Sequence, residues 1–556
     1  MINPISFFLQ KYSTEIGKIF ELNFSGASSK KGQLKNHLII LFLLFFVSSA
    51  AQDTLTTSNL PIVIINTNGQ EIPDEPKIDV DMGIIYNGPG ELNHINDPFN
   101  EYEGMVGIEI RGSTSQCFPK KSYGFETRDS LGNDLNVSLL GLPEESDFVL
   151  YAPYSDKSCI RNVLAYKLSE STGHYAPRTR YCELMINGVY MGIYVLIEKV
   201  KRDENRVDIP KMTEADTTGD NVTGGYIIQV GKYDVLGWGS PYNPATYYQC
   251  YYPKESQEQQ LNYIHEWMDT FENTMKNLEV PDTSFYSIID KTSFIDYILV
   301  NEISKNPDAY RKSTFLTKER DSNGGKLAAG PVWDYNLAFG NDHDFNSFVP
   351  ENWIITDTIY YSRPHWWDQM FMHPVFYAEI KERWNYLRQG PFHIDAINGI
   401  IDSCATILEE PQQRNFLKWD ILGVYIWPNV FVGETYEEEI DYLKSWTADR
   451  INWMDSLFYV STPIYEEVNF QIRVYPNPFS EKLNLQISLP GASQIHFQIF
   501  SFSGQEIYSN SFQYQISRNA NFDIPLNASE LPAGIYFYSC TLSTGEVYGG
   551  KLIKSN

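Results

Sequence analysis

Two aspartates flank a predicted two-stranded ribbon, and their types and spacing suit phosphoryl transfer. Asp308 precedes the apolar run "STFLTK", Asp334 follows the run "GKLAAGPVW", and the turn sequence "DSNGG" separates the two runs. Phosphoryl transfer requires one carboxylate that orients the attacking hydroxyl and another that helps to hold Mg²⁺ on the phosphates. In protein kinases, a metal-binding Asn follows the first Asp by five positions, and a metal-binding Asp follows the next hairpin. In this chain Ser313 stands five positions after Asp308.

The same two aspartates also have a structural interpretation. Asp residues are common in turns and at helix caps, so Asp308 could belong to a turn and Asp334 could be a cap. Asp334 lies between Trp333 and Tyr335, in a segment whose composition predicts burial. Because an unpaired buried carboxylate costs several kcal/mol, a metal ion with its phosphates would make an acid tolerable there. These residues alone leave both interpretations open.

A second polar segment lies upstream. The stretch "IEIRGSTSQCFPKKSYGFE" predicts a strand, a polar turn that follows Arg111 and includes Ser113, and a second strand entered by Lys120 and Lys121. The backbone N–H groups of such a turn can bind phosphate, and a strand lysine can reach phosphate oxygens. Glu198, in "YVLIEKVKRD", is a candidate acid to pair with that lysine. Solvated surface charges are the alternative interpretation of the two lysines.

The hydrophobic pattern divides the chain into regions. From Leu60 to about Ile209 it predicts strands, including a hairpin turned at Asn187-Gly188, with one helix in "SCIRNVLAYKLSESTG". Beyond residue 255 the period becomes helical, with a helix opened by Pro374 and a long one near 436–458. The aromatic segment 363–374 is predicted to be a core edge. A β-rich half therefore precedes a helical half, which predicts an α+β fold.

Composition narrows the function classes. The formal net charge of −27 on 556 residues argues against binding to nucleic acid or anionic membranes. The chain contains no G-x-x-x-x-G-K-[ST] loop, no G-x-S-x-G elbow and no G-x-G-x-x-G fingerprint, which argues against the corresponding nucleotide and hydrolase sites. Its six cysteines are widely spaced, so buried free thiols are predicted rather than a zinc site or a disulfide framework.

The first 51 residues are predicted to be a leader. Three lysines precede an apolar run at about 38–47, and the small residues of "SSAAQ" follow it. The run is short for a membrane span, which needs about 20 residues. A single membrane anchor is the alternative, but we interpret residues 1–51 as an export signal, with no stable transmembrane segment after its removal.

Four motifs together resemble the spore-coat-protein-H (CotH) kinase family. They are "RGSTSQCFPKKSY", "LYAPYSDKSCIRNVLAYKL", "NGVYMGIYVLIEKV" and "NPDAYRKSTFL…GPVWDYNLAFGN", in the family's order. The resemblance implies an atypical protein-kinase-like domain over 52–465 that uses ATP and Mg²⁺ or Mn²⁺ to phosphorylate a protein outside the cytoplasm. It implies that Asp308 is the catalytic acid and Asp334 a metal ligand. The implied nucleotide-site residues are Arg111, Ser113, Lys120 or Lys121, and Glu198 as a supporting acid.

Two positions depart from the family pattern. The spore-coat branch carries Asn where this chain has Ser313, and Asp where it has Asn336. Ser and Asn can ligate Mg²⁺ but bring less charge, so both remain candidate metal ligands of a variant site. Two alternatives therefore stand beside the kinase: a catalytically inactive surface scaffold or adhesion protein, and an enzyme that transfers another group, such as AMP.

The C-terminal segment 466–556 has a resemblance of its own. Alternating runs such as "KLNLQISL" and "GIYFYSCTL" predict a small all-β, Ig-like sandwich. The motifs "VYPNPF", "SGQEIY", "LPAGIYFY" and "GGKLIK" resemble the type A sorting domain of the type IX secretion system of Bacteroidetes. This resemblance implies a secreted or cell-surface protein that contacts the secretion machinery. The kinase resemblance adds an exported protein substrate, whose identity is unknown. An ordinary Ig-like binding module is the alternative.

Overall fold

A computed structural model of the protein describes residues 55–231, 236–358, 362–458, 471–480, 482–488, 494–502, 504–513, 520–524, 531–542 and 547–555. The predicted leader lies outside the described residues, as does the predicted domain boundary at 465–466. The chain divides into two compact units, residues 1–454 and residues 455–556.

The first part of the larger unit is built from strands and one helix. The strands are β1 (Thr57–Ser58), β2 (Ile62–Asn66), β3 (Ile78–Ile85), β4 (Asn93–His94), β5 (Tyr102–Arg111), β6 (Ser122–Arg128), β7 (Asp147–Tyr151), β8 (Thr179–Ile186) and β9 (Val189–Glu198), with helix α1 (Arg161–Ser171) before β8.

Seven of these strands close a barrel in the order β2-β3-β5-β6-β7-β9-β8. All pairs are antiparallel except β2 with β8, which closes the ring in parallel. Alternate side chains such as Val106, Ile108, Phe125 and Leu196 are buried in one core cluster. The predicted hairpin turn at Asn187-Gly188 is confirmed, because it joins β8 to β9.

Helix α1 is held at its start by a buried ion pair. Asp156 accepts from Arg161 Nη1 at 2.6 Å and from the Arg161 backbone N–H at 3.0 Å. The carboxylate therefore accepts a hydrogen bond from an N–H group of the first turn, and it also neutralises the guanidinium. The segment "SDKSCIRN" thus orients the first turn of the helix.

The second part of the larger unit is mainly helical. It contains β10 (Tyr226–Val230), β11 (Gly237–Gly239), β12 (Tyr247–Tyr252), α2 (Glu258–Lys276), α3 (Lys291–Ser304), β13 (Thr314–Lys318), β14 (Leu327–Ala329), α4 (Trp366–Met372), α5 (Pro374–Arg388), α6 (Ile394–Leu408), α7 (Pro411–Lys418) and α8 (Tyr436–Phe458).

The five strands of this part form one antiparallel sheet in the order β11-β12-β10-β13-β14. The predicted ribbon is therefore its β13–β14 edge, shorter than expected because β14 ends at Ala329. Helix α2 buries Ile264, Met268 and Phe271 at helical spacing. Trp366 and Trp367 of α4 are fully buried and Met372 at its end is 70% exposed, as predicted for a core edge.

The smaller unit contains two antiparallel sheets. Their orders are β15-β16-β19 and β18-β17-β20-β21. Leu485 of the first sheet and Phe497 of the second belong to one buried cluster, so the inner faces share a core, as expected for a small sandwich. The strands are β15 (Gln471–Tyr475), β16 (Leu483–Ser488), β17 (Gln494–Ser501), β18 (Glu506–Gln513), β19 (Ala520–Ile524), β20 (Gly534–Leu542) and β21 (Val547–Lys554).

Candidate functional site

A cavity of about 540 Å³ lies between the barrel and the helical part of the larger unit. The barrel contributes apolar walls, among them Val149 of β7 and Ile197 of β9. The helical part contributes Asp308, Asp334 and Trp333. The structure thus brings the two predicted aspartates, 26 positions apart in the chain, to one cavity.

Asp334 is held in position through its backbone. Its N–H donates to the Tyr166 hydroxyl at 3.2 Å, and the next N–H, of Tyr335, donates to Asn162 Oδ1 at 2.6 Å. Both acceptors lie on α1, and Asp334 has a positive φ of 68°. An Asp at positive φ is uncommon and is sustained only where the surroundings fix it. Helix α1 therefore fixes the backbone from which this carboxylate projects.

The Asp334 carboxyl is poorly neutralised by the protein. Its side chain is half-buried at the cavity wall, and Ser313 Oγ donates to its Oδ2 at 3.4 Å. Loss of water raises its pKa to about 6, and the nearby charge of Asp308 adds to the rise. Arg111 and Lys312 act in the opposite direction, but they do not offset the effect of burial. A bound cation would stabilise the charged form of this group.

Asp308 lies in a tightly folded loop between α3 and β13. Arg311 Nη2 donates to Asp308 Oδ1 at 3.0 Å, and the Lys312 N–H donates to the Asp308 carbonyl at 3.0 Å. Tyr310 and Ser313 have positive φ angles of 67° and 47°. The Tyr310 hydroxyl donates to the buried Glu302 at 3.0 Å, which ties the loop to α3. The loop therefore presents Asp308 in a fixed orientation.

The polar turn between β5 and β6 forms the opposite rim of the cavity. Arg111, Gly112, Ser113 and Ser115 all line it. Gly112 has φ +115°, and a Cβ built there would lie 2.1 Å from Ser115 Oγ, so the turn requires glycine. The Arg111 guanidinium lies 5.2 Å from the centre of the ring of Trp333, the residue that precedes Asp334.

The structure does not bring the other predicted nucleotide contacts to this cavity. Lys120 is buried, and its Nζ donates to the Ile193 carbonyl at 2.7 Å and to Asn415 Oδ1 at 2.8 Å. Lys121 Nζ donates to the Gln116 carbonyl at 2.5 Å. Glu198 is fully buried and accepts from Arg178 Nη1 at 2.8 Å. Ile197 of β9 lines the cavity, so alternation along the strand turns the next side chain, Glu198, away from it. Lys120 precedes β6 and is held away from the cavity by its own hydrogen bonds.

Ser313 and Asn336 both line the cavity, so the predicted oxygen ligands converge with Asp334. Among the described residues there is no group of three or more His, Cys, Asp or Glu side chains able to hold a metal ion. One or two carboxylates are sufficient for Mg²⁺ where phosphates and waters supply the remaining ligands. The donor set is all oxygen, which fits Mg²⁺ or Mn²⁺ rather than zinc.

Several cavity residues were not predicted as site residues. Asp342 and Asp344, six and eight positions after the end of the "WDYN" segment, line the cavity, as do Lys312, Asn162 and Trp427. The acidic run "NDHDF" is a signal that could have pointed to the two aspartates. Trp427 lies more than ninety positions beyond Asp334, so no local pattern connects the two residues.

A protein-family model matches most of the larger unit. Residues 108–454 match the model described as CotH kinase protein, which is more than half of the chain. The chain belongs to the CotH kinase family. The predicted resemblance is therefore confirmed, and membership of this kinase family implies ATP as the nucleotide. A comparison with curated proteins found no significant match.

A second match covers the smaller unit of this CotH family member. Residues 473–555 match a secretion system C-terminal sorting domain, which confirms the second resemblance. The domain indicates export through the type IX secretion system to the cell surface or the medium, and it implies contact with that machinery. No helix within the described ranges combines the length and apolar character needed to cross a membrane.

Proposed function

We propose that the chain is an exported atypical protein kinase that transfers the γ-phosphoryl group of ATP to hydroxyl side chains of an extracytoplasmic protein. The observation that carries this proposal is the pairing of Asp308 and Asp334 on one cavity, with Asp334 incompletely neutralised. Perturbed carboxyl groups of this kind cluster at functional sites. Family membership supports the same activity.

Asp308 is the proposed group that orients the acceptor hydroxyl. As the hydroxyl oxygen forms its bond to phosphorus, Asp308 accepts the hydroxyl proton, and the bond to the ADP oxygen breaks. Arg311 holds Oδ1 of Asp308, which fixes the plane of the carboxylate. Positioning of this kind supplies much of the rate enhancement in phosphoryl transfer.

Arg111 and Lys312 are the cations best placed to meet phosphate oxygens, since both line the cavity near Asp334. The backbone of the turn at 112–115, with Ser113, adds N–H groups on the same rim. Lys120 and Glu198 are assigned no direct contact in this proposal, because both are held elsewhere by buried hydrogen bonds. Lys121, tied to Gln116, acts at most by shaping the turn.

Asp334 is the proposed principal ligand of the divalent metal, with oxygens of Ser313 and Asn336 beside it. A bound Mg²⁺ or Mn²⁺ would neutralise charge on the phosphates. Tyr166 and Asn162 hold the backbone at Asp334 and Tyr335, which keeps Asp334 at the cavity wall.

A catalytically inactive surface scaffold is the second candidate. Asn336 lowers the charge of the metal site, and the lysine–acid pair expected of a kinase is not formed at the cavity by Lys120 and Glu198. Transfer of AMP is a third outcome that the same cavity allows. Mass spectrometry of a modified partner separates the two transfer reactions, because phosphate and AMP add different masses.

Thermal stability with and without nucleotide tests the proposal first. The chain 52–556 would be followed by tryptophan fluorescence, with ATP and Mg²⁺ or Mn²⁺, beside Asp334→Ala and the control Asp395→Ala, whose side chain is 86% exposed. A metal-dependent rise with ATP that Asp334→Ala loses and Asp395→Ala keeps supports the nucleotide site. No rise with any nucleotide and metal would leave a scaffold with a kinase fold.

A further inference from the structure

One loop of the larger unit exposes apolar side chains beside the cavity. Residues 423–433 lie within the connection between α7 and α8 and are called the aromatic loop here. Four of its side chains are exposed: Val424 by 45%, Tyr425 by 55%, Trp427 by 43% and Val430 by 37%. Trp427 also lines the cavity, so this exposed group lies at the cavity rim. Apolar clusters of this kind on a protein surface mark interaction sites.

The aromatic loop is held in shape from below. The buried Lys157 donates through Nζ to the Val424 carbonyl at 2.7 Å. Asn429, also buried, donates through Nδ2 to the Ser155 carbonyl at 2.7 Å. The Gly423 N–H donates to the Gly433 carbonyl at 2.7 Å and closes the loop at its ends. These contacts fix the backbone of the aromatic loop, from which the exposed side chains project.

Further contacts connect the aromatic loop to the candidate site. Trp427 Nε1 donates to Asp344 Oδ2 at 3.0 Å, and Asp344 lines the cavity. Asn429 Nδ2 also donates to Asn341 Oδ1 at 2.8 Å, and Asn341 Nδ2 donates to the carbonyl of Asn336 at 2.8 Å. These hydrogen bonds hold the aromatic loop, and with it the Trp427 ring, in place beside the cavity that contains Asn336.

This placement restricts what can cover the loop. Asp308 and the partly exposed Trp427 line the same cavity, so an acceptor whose hydroxyl reaches Asp308 passes close to the Trp427 ring. Rigid Trp and Tyr side chains bind apolar partners at a low cost in conformational entropy and dominate binding energy in protein interfaces. An apolar side chain of the acceptor, a few residues from its hydroxyl, would cover rings that otherwise face water.

We propose that the aromatic loop binds an extended segment of the acceptor protein that carries an aromatic or large aliphatic side chain close to the modified hydroxyl. This inference rests on the proposed kinase function and specifies its substrate class. Tyr425 and Trp427 are the specificity-determining residues, and neither takes part in the transfer step.

A peptide library tests this inference. The chain 52–556 is incubated with Mg²⁺ and γ-labelled ATP on peptides that hold one Ser or Thr and vary each flanking position. Tyr425→Ala and Trp427→Ala are compared with Tyr386→Ala, a tyrosine of α5 that is 66% exposed and does not line the cavity. Stabilisation by Mg-ATP and the sedimentation of each protein are measured in parallel.

The expected result is a preference for aromatic or large aliphatic residues at one flanking position. In each loop variant, kcat/KM for the preferred peptide falls about tenfold or more and the preference is lost. Mg-ATP stabilisation of Tyr425→Ala, whose side chain does not line the cavity, stays as in the wild type, and Tyr386→Ala behaves as the wild type throughout.

Four results would overturn the inference, and they are distinguishable. An unchanged peptide preference in the loop variants removes any role for the rings in recognition. Loss of Mg-ATP stabilisation in those variants assigns the rings to the nucleotide. A wild-type dimer that dissociates in the variants makes a second copy the occupant. A wild type that neither binds Mg-ATP nor labels any peptide refutes the proposed function, and the inference with it.

Discussion

Two carboxylates in the helical part of the larger unit have opposite surroundings. Glu302 of α3 is fully buried and is neutralised by the protein, because Arg450 Nη2 donates to it at 3.0 Å. The Ile354 and Ile355 N–H groups add bonds at 3.0 Å and 2.9 Å. Asp334 has no comparable set: within the described part of the chain, its carboxylate accepts a hydrogen bond from Ser313 at 3.4 Å.

Glu302 is paired within the fold, whereas Asp334 is the carboxylate that we propose binds a ligand. A buried charge is tolerated when fixed donors surround it, as at Glu302. At Asp334 the donors are few and the pKa rises, which is what we expect of a carboxylate that binds the proposed cation. The two acids are also connected, since Tyr310, in the loop that presents Asp308, donates to Glu302.

The largest expected effect comes from breaking the structural acid. Glu302→Gln leaves the fully buried Arg450 guanidinium without its counter-charge, which is expected to cost about 3–5 kcal/mol of stability. Urea unfolding followed by tryptophan fluorescence measures this, because all eleven tryptophans lie within 238–453, in the larger unit. The exposed Glu437→Gln is the matched control, and an equally small loss for Glu302→Gln would contradict the contrast.

At Asp334 we expect the neutral substitution to raise stability instead of lowering it. Asp334→Asn removes a poorly solvated carboxylate and its repulsion with Asp308, so stability at pH 7 should rise by roughly 1–3 kcal/mol. The same variant should lose stabilisation by Mg-ATP. The urea midpoint without ligand and the thermal shift with ligand measure the two effects, and a destabilised variant would place Asp334 among the structural acids.

The pH dependence follows from the direction of the shift. The pKa of Asp334 is raised from its usual 3.8 to about 6 in the folded state, so its charged form opposes folding. That penalty is absent below pH 3.8, grows between pH 3.8 and 6, and is complete above pH 6. The stability difference between wild type and Asp334→Asn should therefore shrink as the pH falls from 7 to 4, and a constant difference would contradict the assignment.

Asn336→Asp sharpens the comparison by adding charge to the candidate site. A second carboxylate beside Asp334 is expected to raise Mg²⁺ affinity about tenfold, and to lower stability in the absence of metal. Titration of Mg²⁺ at fixed ATP, read by thermal shift, measures the affinity. An unchanged affinity would mean that position 336 does not reach the metal.

The smallest change in stability is expected for an exposed ion pair, because solvent screens both of its charges. Lys167 and Glu170 on α1 form an ion pair at 2.8 Å with side chains about half exposed. Lys167→Ala should change the free energy of unfolding by less than about 0.5 kcal/mol. The urea midpoint measures it, and a loss near that of Glu302→Gln would show that exposure does not rank these acids.

The sequence by itself determined much of this architecture. The helix that begins near Arg161, the hairpin at Asn187-Gly188 and the strands of the sorting domain all follow local patterns of hydrophobicity and turn residues. The sequence also predicted Asp308 and Asp334 as a pair, since both belong to short motifs with a known spacing. Their roles remain proposals.

Only the tertiary structure decided which distant residues accompany that pair. Barrel closure through the parallel contact of β2 with β8 depends on non-local pairing, which no window of sequence contains. The direction of a side chain is equally non-local, because it depends on which face of a strand meets the cavity. Glu198 therefore points away from the cavity that its neighbour Ile197 lines, and Trp427 reaches the cavity from 93 positions beyond Asp334.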